Sequence, residues 1–277
     1  MLEIISELEA FFHEGDVVVI GLVCSFLFVL GAVSASFSCL VAYRLKGLGE
    51  GQSILSAISF PPSHCEGCGR RLGPLELVPI LGWLVCRGRC PSCGSSIPAR
   101  YPVMEFLLGA ACAASPFVLP GFAEAAAAAF VLVIGFLVAV IDWENSMVPE
   151  ELTWVLLFAG LLASPIEEEL QYRVVGAAIG AGLGWAMTTV PGWLKGVDTR
   201  AWGDVAMAAG VGAWVGCFAV APLCVAAAAL HLVICLAYGG RGEEGGTWTP
   251  FGPALMASFA AAVMAYPQFM GFVRPDL

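Results

Sequence analysis

Long apolar runs decide most of what this chain can become. The first extends from Val17 to Tyr43 without a charged residue. About 20 apolar residues in a helix match the hydrocarbon thickness of a bilayer, and a run with no polar face has nothing to offer water. Seven more apolar segments follow, at about 101–119, 122–141, 152–165, 174–190, 205–220, 222–238 and 253–266. Several are shorter than a span, so their ends are expected to reach into flanking polar sequence. Charged residues form only 12% of the chain, where a soluble domain has roughly a quarter. Backbone groups inside lipid must pair within their own segment. The expected fold class is therefore an all-α polytopic membrane protein with about eight transmembrane helices and a small cytoplasmic insertion.

Within the long run after Asp204, Ala221-Pro222 predicts a break, because proline cannot continue an unkinked helix. Gly and Ala dominate 176–186, 206–216 and 254–265. Small residues let helix backbones approach closely in lipid, so these faces are expected to pack together. The first residues, Met1 to Glu7, are acidic where a cleavable signal is cationic, and no such signal is expected.

Orientation follows from the cations. With the N-terminus outside and each segment crossing once, the inside loops hold Arg44, Lys46, Arg70, Arg71, Arg87, Arg89, Arg100, Lys195, Arg200 and Arg241. Only Arg173 and Arg274 fall outside, beside Glu167, Glu168 and Glu169. Ten of twelve cations on one side is a positive-inside pattern. The net charge of −10 says less than this distribution, and nucleic acid is not among the expected partners. Three regions result: 1–43, an acidic periplasmic N-terminus with the first span; 44–100, a cytoplasmic insertion; and 101–277, the membrane-embedded remainder.

The insertion is rich in Gly, Pro and Ser, and too short for much core of its own, so it needs a staple. Cys65-Glu66-Gly67-Cys68-Gly69 and Cys90-Pro91-Ser92-Cys93-Gly94 supply one. A two-residue gap lets both thiolates of a pair reach one ion, and the following glycine allows a positive φ. Cys65, Cys68, Cys90 and Cys93 together predict a closed tetrahedral Zn²⁺ site, which is structural because it keeps no open position for water. Two disulfides or free thiols are the alternative, disfavoured in a reducing cytoplasm. His64 and Cys86 lie nearby as substitute ligands. Arg70, Arg71, Arg87 and Arg89 suit anionic lipid headgroups or serve topology alone.

Two aspartates stand where charge is costly. Asp142 closes the third apolar segment and Asp204 opens the sixth. The topology puts both at the cytoplasmic boundary, where they can meet. Two carboxyls in contact share a proton, and such a pair can activate water against a peptide carbonyl. Gly203 is expected to leave room for a substrate backbone. Taken singly, Asp204 reads more readily as a helix N-cap and Asp142 as a solvated boundary residue than as a catalytic group, and Glu144 and Glu150 are rival acids near Asp142. Glu105, inside the second span, is a functional candidate by position, with a structural pair to Arg100 or a neighbouring helix at least as good a reading.

Several blocks resemble the type IV prepilin peptidases. Ser63 through Cys93, with Glu76 to Leu84 between the cysteine pairs, and then Ile97 to Glu105, resemble that family's cytoplasmic loop. Ile141-Asp142 with Met147-Val148-Pro149-Glu150 resembles its first aspartate block, Gly203-Asp204-Val205 its second, and Pro250-Phe251-Gly252-Pro253 a late block. The resemblance implies an inner-membrane aspartyl endopeptidase that cleaves leader peptides of prepilins or pseudopilins on the cytoplasmic side, with Asp142 and Asp204 catalytic. It also implies N-methylation of the new N-terminus from S-adenosylmethionine, although no residue here marks a methyl-donor site. Membrane lipids complete the expected partners. Where the family's second block has an earlier glycine and a following lysine, this chain has Ala201 and Ala206; near the first helix it has Ala35-Ser36-Phe37-Ser38-Cys39 for Gly-Ser-Phe-x-Asn. Those departures keep a non-catalytic assembly scaffold in view. A membrane thiol oxidoreductase built on the cysteine pairs, and a proton-coupled transporter using Asp142, Asp204 and Glu105, are the other rivals.

Overall fold

A computed structural model describes residues 17–46, 59–119, 121–196, 201–238 and 249–265. Eight α-helices lie within them: α1 (Val17–Leu45), α2 (Leu81–Val85), α3 (Arg100–Val118), α4 (Phe122–Asn145), α5 (Glu150–Ala163), α6 (Leu170–Lys195), α7 (Trp202–Tyr238) and α8 (Gly252–Met264). No strand occurs among the described residues; the insertion holds only two isolated bridges, His64 with Arg71 and Arg89 with Ser96. Five helices, α1, α3, α4, α6 and α7, are long and apolar enough to cross a membrane, and α8 is a shorter apolar helix. The fold is all-α, as the apolar runs require. The acidic residues 1–16, Arg200, Arg241 and Arg274, and the Lys195 side chain, lie outside the described residues.

Helix α7 carries two of the expected segments and does not break where proline predicted. Its backbone leaves helical geometry at Gly216, with φ 75° and ψ 178°, while Pro222 sits inside the second half. A straight helix would hold Asp204 and His231 about 40 Å apart. Instead His231 stacks edge-on against Phe251, with ring centroids 5.5 Å apart, and the neighbouring Gly252 bonds Asp142, which lies in electrostatic range of Asp204. Residues 217–238 therefore fold back along 202–215. The break has its own satisfaction: the Ser164 hydroxyl donates to the Trp214 carbonyl at 2.7 Å.

Close backbone approach organises the rest. Gly176 of α6 meets Gly212 and Gly216, Gly180 meets Ala208, and Gly184 meets Ala208 and Asp204, so α6 runs antiparallel to residues 202–215. A Cβ at Gly31 of α1 would stand 2.7 Å from the Leu108 carbonyl of α3. In lipid no hydrophobic gain drives helices together, and this packing of small residues replaces it. Val131, Val138, Leu156, Met207, Val211 and Phe259 fill the shared core of α4, α5, α7 and α8. Trp214 crosses it, stacked on Phe130, its indole N–H donating to the Leu156 carbonyl at 2.8 Å. At the end of the bundle away from Asp142, Arg173 donates to the Leu161, Ser164 and Glu168 carbonyls, satisfying acceptors that the end of α5 leaves open.

Candidate functional site

Asp142 sits in the last turn of α4, which stops at Ser146 in the left-handed conformation. Its side chain is buried, and Oδ2 accepts the Gly252 N–H at 2.9 Å. Gly252 opens α8, with Pro253 following in the first turn. A helix N-terminus points unpaired N–H groups outward and favours a carboxylate there. Glycine suits this arrangement, because a Cβ at 252 would stand 2.5 Å from Asp142 Oδ2 and push that carboxylate aside. Asp204, also buried, lies in the first turn of α7 and within electrostatic range of Asp142. Two aspartates at the ends of separate helices thus share one depth and one neighbourhood.

Gly203 does not provide open space. Its α-carbon faces Val148, and a Cβ there would meet the Val148 Cβ at 2.7 Å. The glycine instead lets the Met147-Val148-Pro149 turn lie against the start of α7, which brings the two aspartate blocks together.

The rival acids are engaged elsewhere. Glu144 bridges Lys46 and Arg100, each at 3.1 Å, gathering the ends of α1, α3 and α4. Asn145 adds a bond from its side-chain amide to the Ala42 carbonyl. Glu150 is exposed at the start of α5. Glu105 is buried and accepts the Ile80 N–H at 2.6 Å. Ile80 has φ 64° and ψ −54°, the centre of a tight turn closed by Leu81 N–H on the Pro79 carbonyl. A β-branched residue at positive φ is strained, so Glu105 acts as the clamp that joins the insertion to α3.

The sequence singled out neither Gly252's contact nor the wall behind it. His231, Cys235 and Thr249 form that wall, with Cys235 Sγ 2.8 Å from Thr249 Oγ1 and 3.5 Å from His231 Nε2. The resemblance of Pro250 to Pro253 was the one sequence signal for this region.

In the insertion the four cysteine sulfurs gather within 4.8 Å of one another. Cys65 and Cys93 are 3.8 Å apart, and Cys68 and Cys90 4.0 Å. A zinc ion with four sulfurs at about 2.3 Å needs edges of about 3.8 Å, so this donor set fits one. Gly69 and Gly94 adopt φ 70° and 74°, as each knuckle requires, and their N–H groups donate to the Cys65 and Cys90 carbonyls. The Ser95 hydroxyl, then the N–H groups of Cys68 and Gly67, hold the Cys65 thiol down to about 6. His64 turns to the Pro62 carbonyl and Cys86 to Glu76, leaving the tetrad to itself. Arg70 also pairs with Glu76, at 2.7 Å, which removes it from the arginines offered to headgroups.

The family model described as the bacterial peptidase A24 N-terminal domain matches residues 29–118, and that of the type IV leader peptidase family matches 128–238. A prepilin leader peptidase/N-methyltransferase of Burkholderia pseudomallei (strain K96243) is 32% identical over 268 residues, covering 88% of this chain and 85% of the relative. This chain belongs to the type IV leader peptidase family. A type 4 prepilin-like proteins leader peptide-processing enzyme of Escherichia coli O78:H11 (strain H10407 / ETEC) is 31% identical over 227 residues, 80% of this chain and 82% of the relative. A prepilin leader peptidase/N-methyltransferase of Klebsiella pneumoniae is 34% identical over 199 residues, 69% and 85% of the two chains. No solved structure matches the chain significantly. Both aspartates fall within the segment matched by the peptidase model, and all four clustered cysteines within the N-terminal one. The chain combines a bundle of helices long and apolar enough to cross a membrane with a cysteine cluster able to hold a metal.

Proposed function

We propose that the chain is a membrane aspartyl endopeptidase that removes leader peptides from type IV prepilins or pseudopilins at the cytoplasmic face of the inner membrane. The observation that carries this reading is the pair of buried carboxyls, Asp142 and Asp204, brought into range from different helices. One carboxylate takes a proton from a water held between them, and the other, protonated, donates to the oxyanion forming on the scissile carbonyl. The Gly252 N–H fixes Asp142 for that work. The ends of α1, α3 and α4 carry Lys46 and Arg100 beside Glu144, in keeping with a cytoplasmic placement of this end. The tetrad Cys65, Cys68, Cys90 and Cys93 holds Zn²⁺ and staples the insertion; a closed thiolate site supplies rigidity rather than reactivity. N-methylation from S-adenosylmethionine, which the relatives' names include, belongs to the same proposal.

The test is co-expression with prepilins from the same genome, following leader removal by mass spectrometry beside Asp142→Asn and Asp204→Asn. Each variant should lose cleavage by about a thousandfold or more, as members of an interdependent catalytic set do, with protein level and zinc unchanged. A product heavier by a methyl group adds the second activity. An intact wild type that leaves every prepilin uncut sinks the peptidase reading and favours a scaffold, the reading that Ala201 and Ala206 support.

A further inference from the structure

The segment between the two cysteine pairs is tied to the first turns of α3 rather than held clear of the helices. Ile80 donates its N–H to Glu105 at 2.6 Å, and Glu105 lies about 8 Å along α3 from Arg100 at the helix start. Arg100 marks the charged level of the bundle, paired with Glu144 across the helix ends. Ile80 is therefore tethered within about the first two turns of α3, near that level and beside a helix whose Val103 and Phe106 are exposed.

Around Ile80 the surface is apolar and uncovered. Leu75 is 73% exposed, Leu81 58%, Leu84 55% and Val85 68%, with Leu77 and Val78 also exposed. Contiguous exposed apolar side chains of this kind mark an interaction surface. The segment's one acid, Glu76, is consumed by Arg70, whereas Arg71, Arg87 and Arg89 are exposed on its flanks. Leucines and valines edged by arginines, held at the bilayer boundary, match a structure lying in the interface.

We propose that residues 75–85 form a wedge seated in the leaflet at the Asp142 end, with its leucines among acyl chains and Arg71, Arg87 and Arg89 at phosphate headgroups. The Glu105 clamp sets the depth of the wedge, and through it the bilayer fixes the height of the cysteine module over the aspartates. The wedge would sit in the leaflet whichever reaction the aspartates carry.

The test places a photoreactive benzoylphenylalanine at Leu81 or Val85 of the full chain in phosphatidylethanolamine–phosphatidylglycerol nanodiscs, with and without a co-reconstituted prepilin. Phe106 serves as the lipid-facing control and Glu66, exposed on a cysteine knuckle, as the aqueous one. Zinc content verifies folding, and Leu75 or Leu84 replaces any position whose variant loses the metal. Phospholipid-mass adducts at both test positions, as at Phe106 and unlike Glu66, are the expected result. Absence of lipid adducts, or adducts instead to the prepilin or to peptides of the chain itself, overturns the proposal.

Discussion

Asp142 and Asp204 are legible in the sequence because a carboxyl at the edge of an apolar run stands out, but what holds them is not. Gly252 lies in a block that only the family resemblance marks, and nothing local says that its N–H meets a carboxylate 110 positions earlier. The same blindness made Gly203 look like room for substrate, when Val148 fills that space. The choice among Asp142, Glu144 and Glu150 was open in sequence; in the fold Glu144 is paired with Lys46 and Arg100 and Glu150 is exposed, which supports the proposed role of Asp142. Gly252→Ala tests the support: its methyl must displace the Asp142 carboxylate or break the 2.9 Å bond. A hydrogen bond to a charged group contributes roughly 1.5–3 kcal/mol, so kcat for leader cleavage should fall about 10- to 100-fold. Zinc content and protein level should stay at wild-type values; a variant that cleaves at the normal rate would remove Gly252 from the site's support.

Helices follow from apolar runs with little ambiguity, and six of the seven long ones match one expected segment each. The place where α7 reverses was not legible, because proline is a visible breaker while a glycine among glycines is not. Pro222 falls early in the second half, where the helix tolerates it, and Gly216 does the turning at φ 75°. The neighbourhood reinforces that assignment, since a Cβ at 216 would stand 2.6 Å from the buried Glu167 carboxylate. Gly216→Ala should therefore destabilise the bundle by about 2 kcal/mol or more, from backbone strain with crowding added. Pro222→Ala should change stability by no more than about 1 kcal/mol. Thermal unfolding of both variants in detergent compares them directly. Equal losses, or a larger loss at Pro222, would return the break to the proline.

At the scale of the whole molecule, a bundle of apolar helices carries an insertion whose four cysteines can hold a metal ion. The two are joined by few bonds among the described residues, chiefly Arg44 to the Pro61 carbonyl and Ile80 to Glu105. The insertion's order therefore rests on the cysteine tetrad, and binding there is coupled to deprotonation of the thiols. Cys65 is held down to about 6 by the Ser95 hydroxyl first and by backbone N–H groups second. Its folded pKa is depressed, so its thiolate is present above about 6 and is lost as pH falls through that value. From about one unit above that value this ligand offers zinc little proton competition. Ser95→Ala removes the largest cause and raises the thiol, and each unit of rise lowers apparent zinc affinity at neutral pH by up to about tenfold. Zinc titration against a chromogenic chelator from pH 5 to 8 should show the variant weakening at higher pH than the wild type. Far-UV circular dichroism on the same samples should keep its helical signal as zinc leaves, because α1 and α3–α8 are built without it. Coincident curves for the two proteins would take Ser95 out of the metal site's tuning. A helical signal that collapses with zinc would make the insertion part of the bundle's own stability.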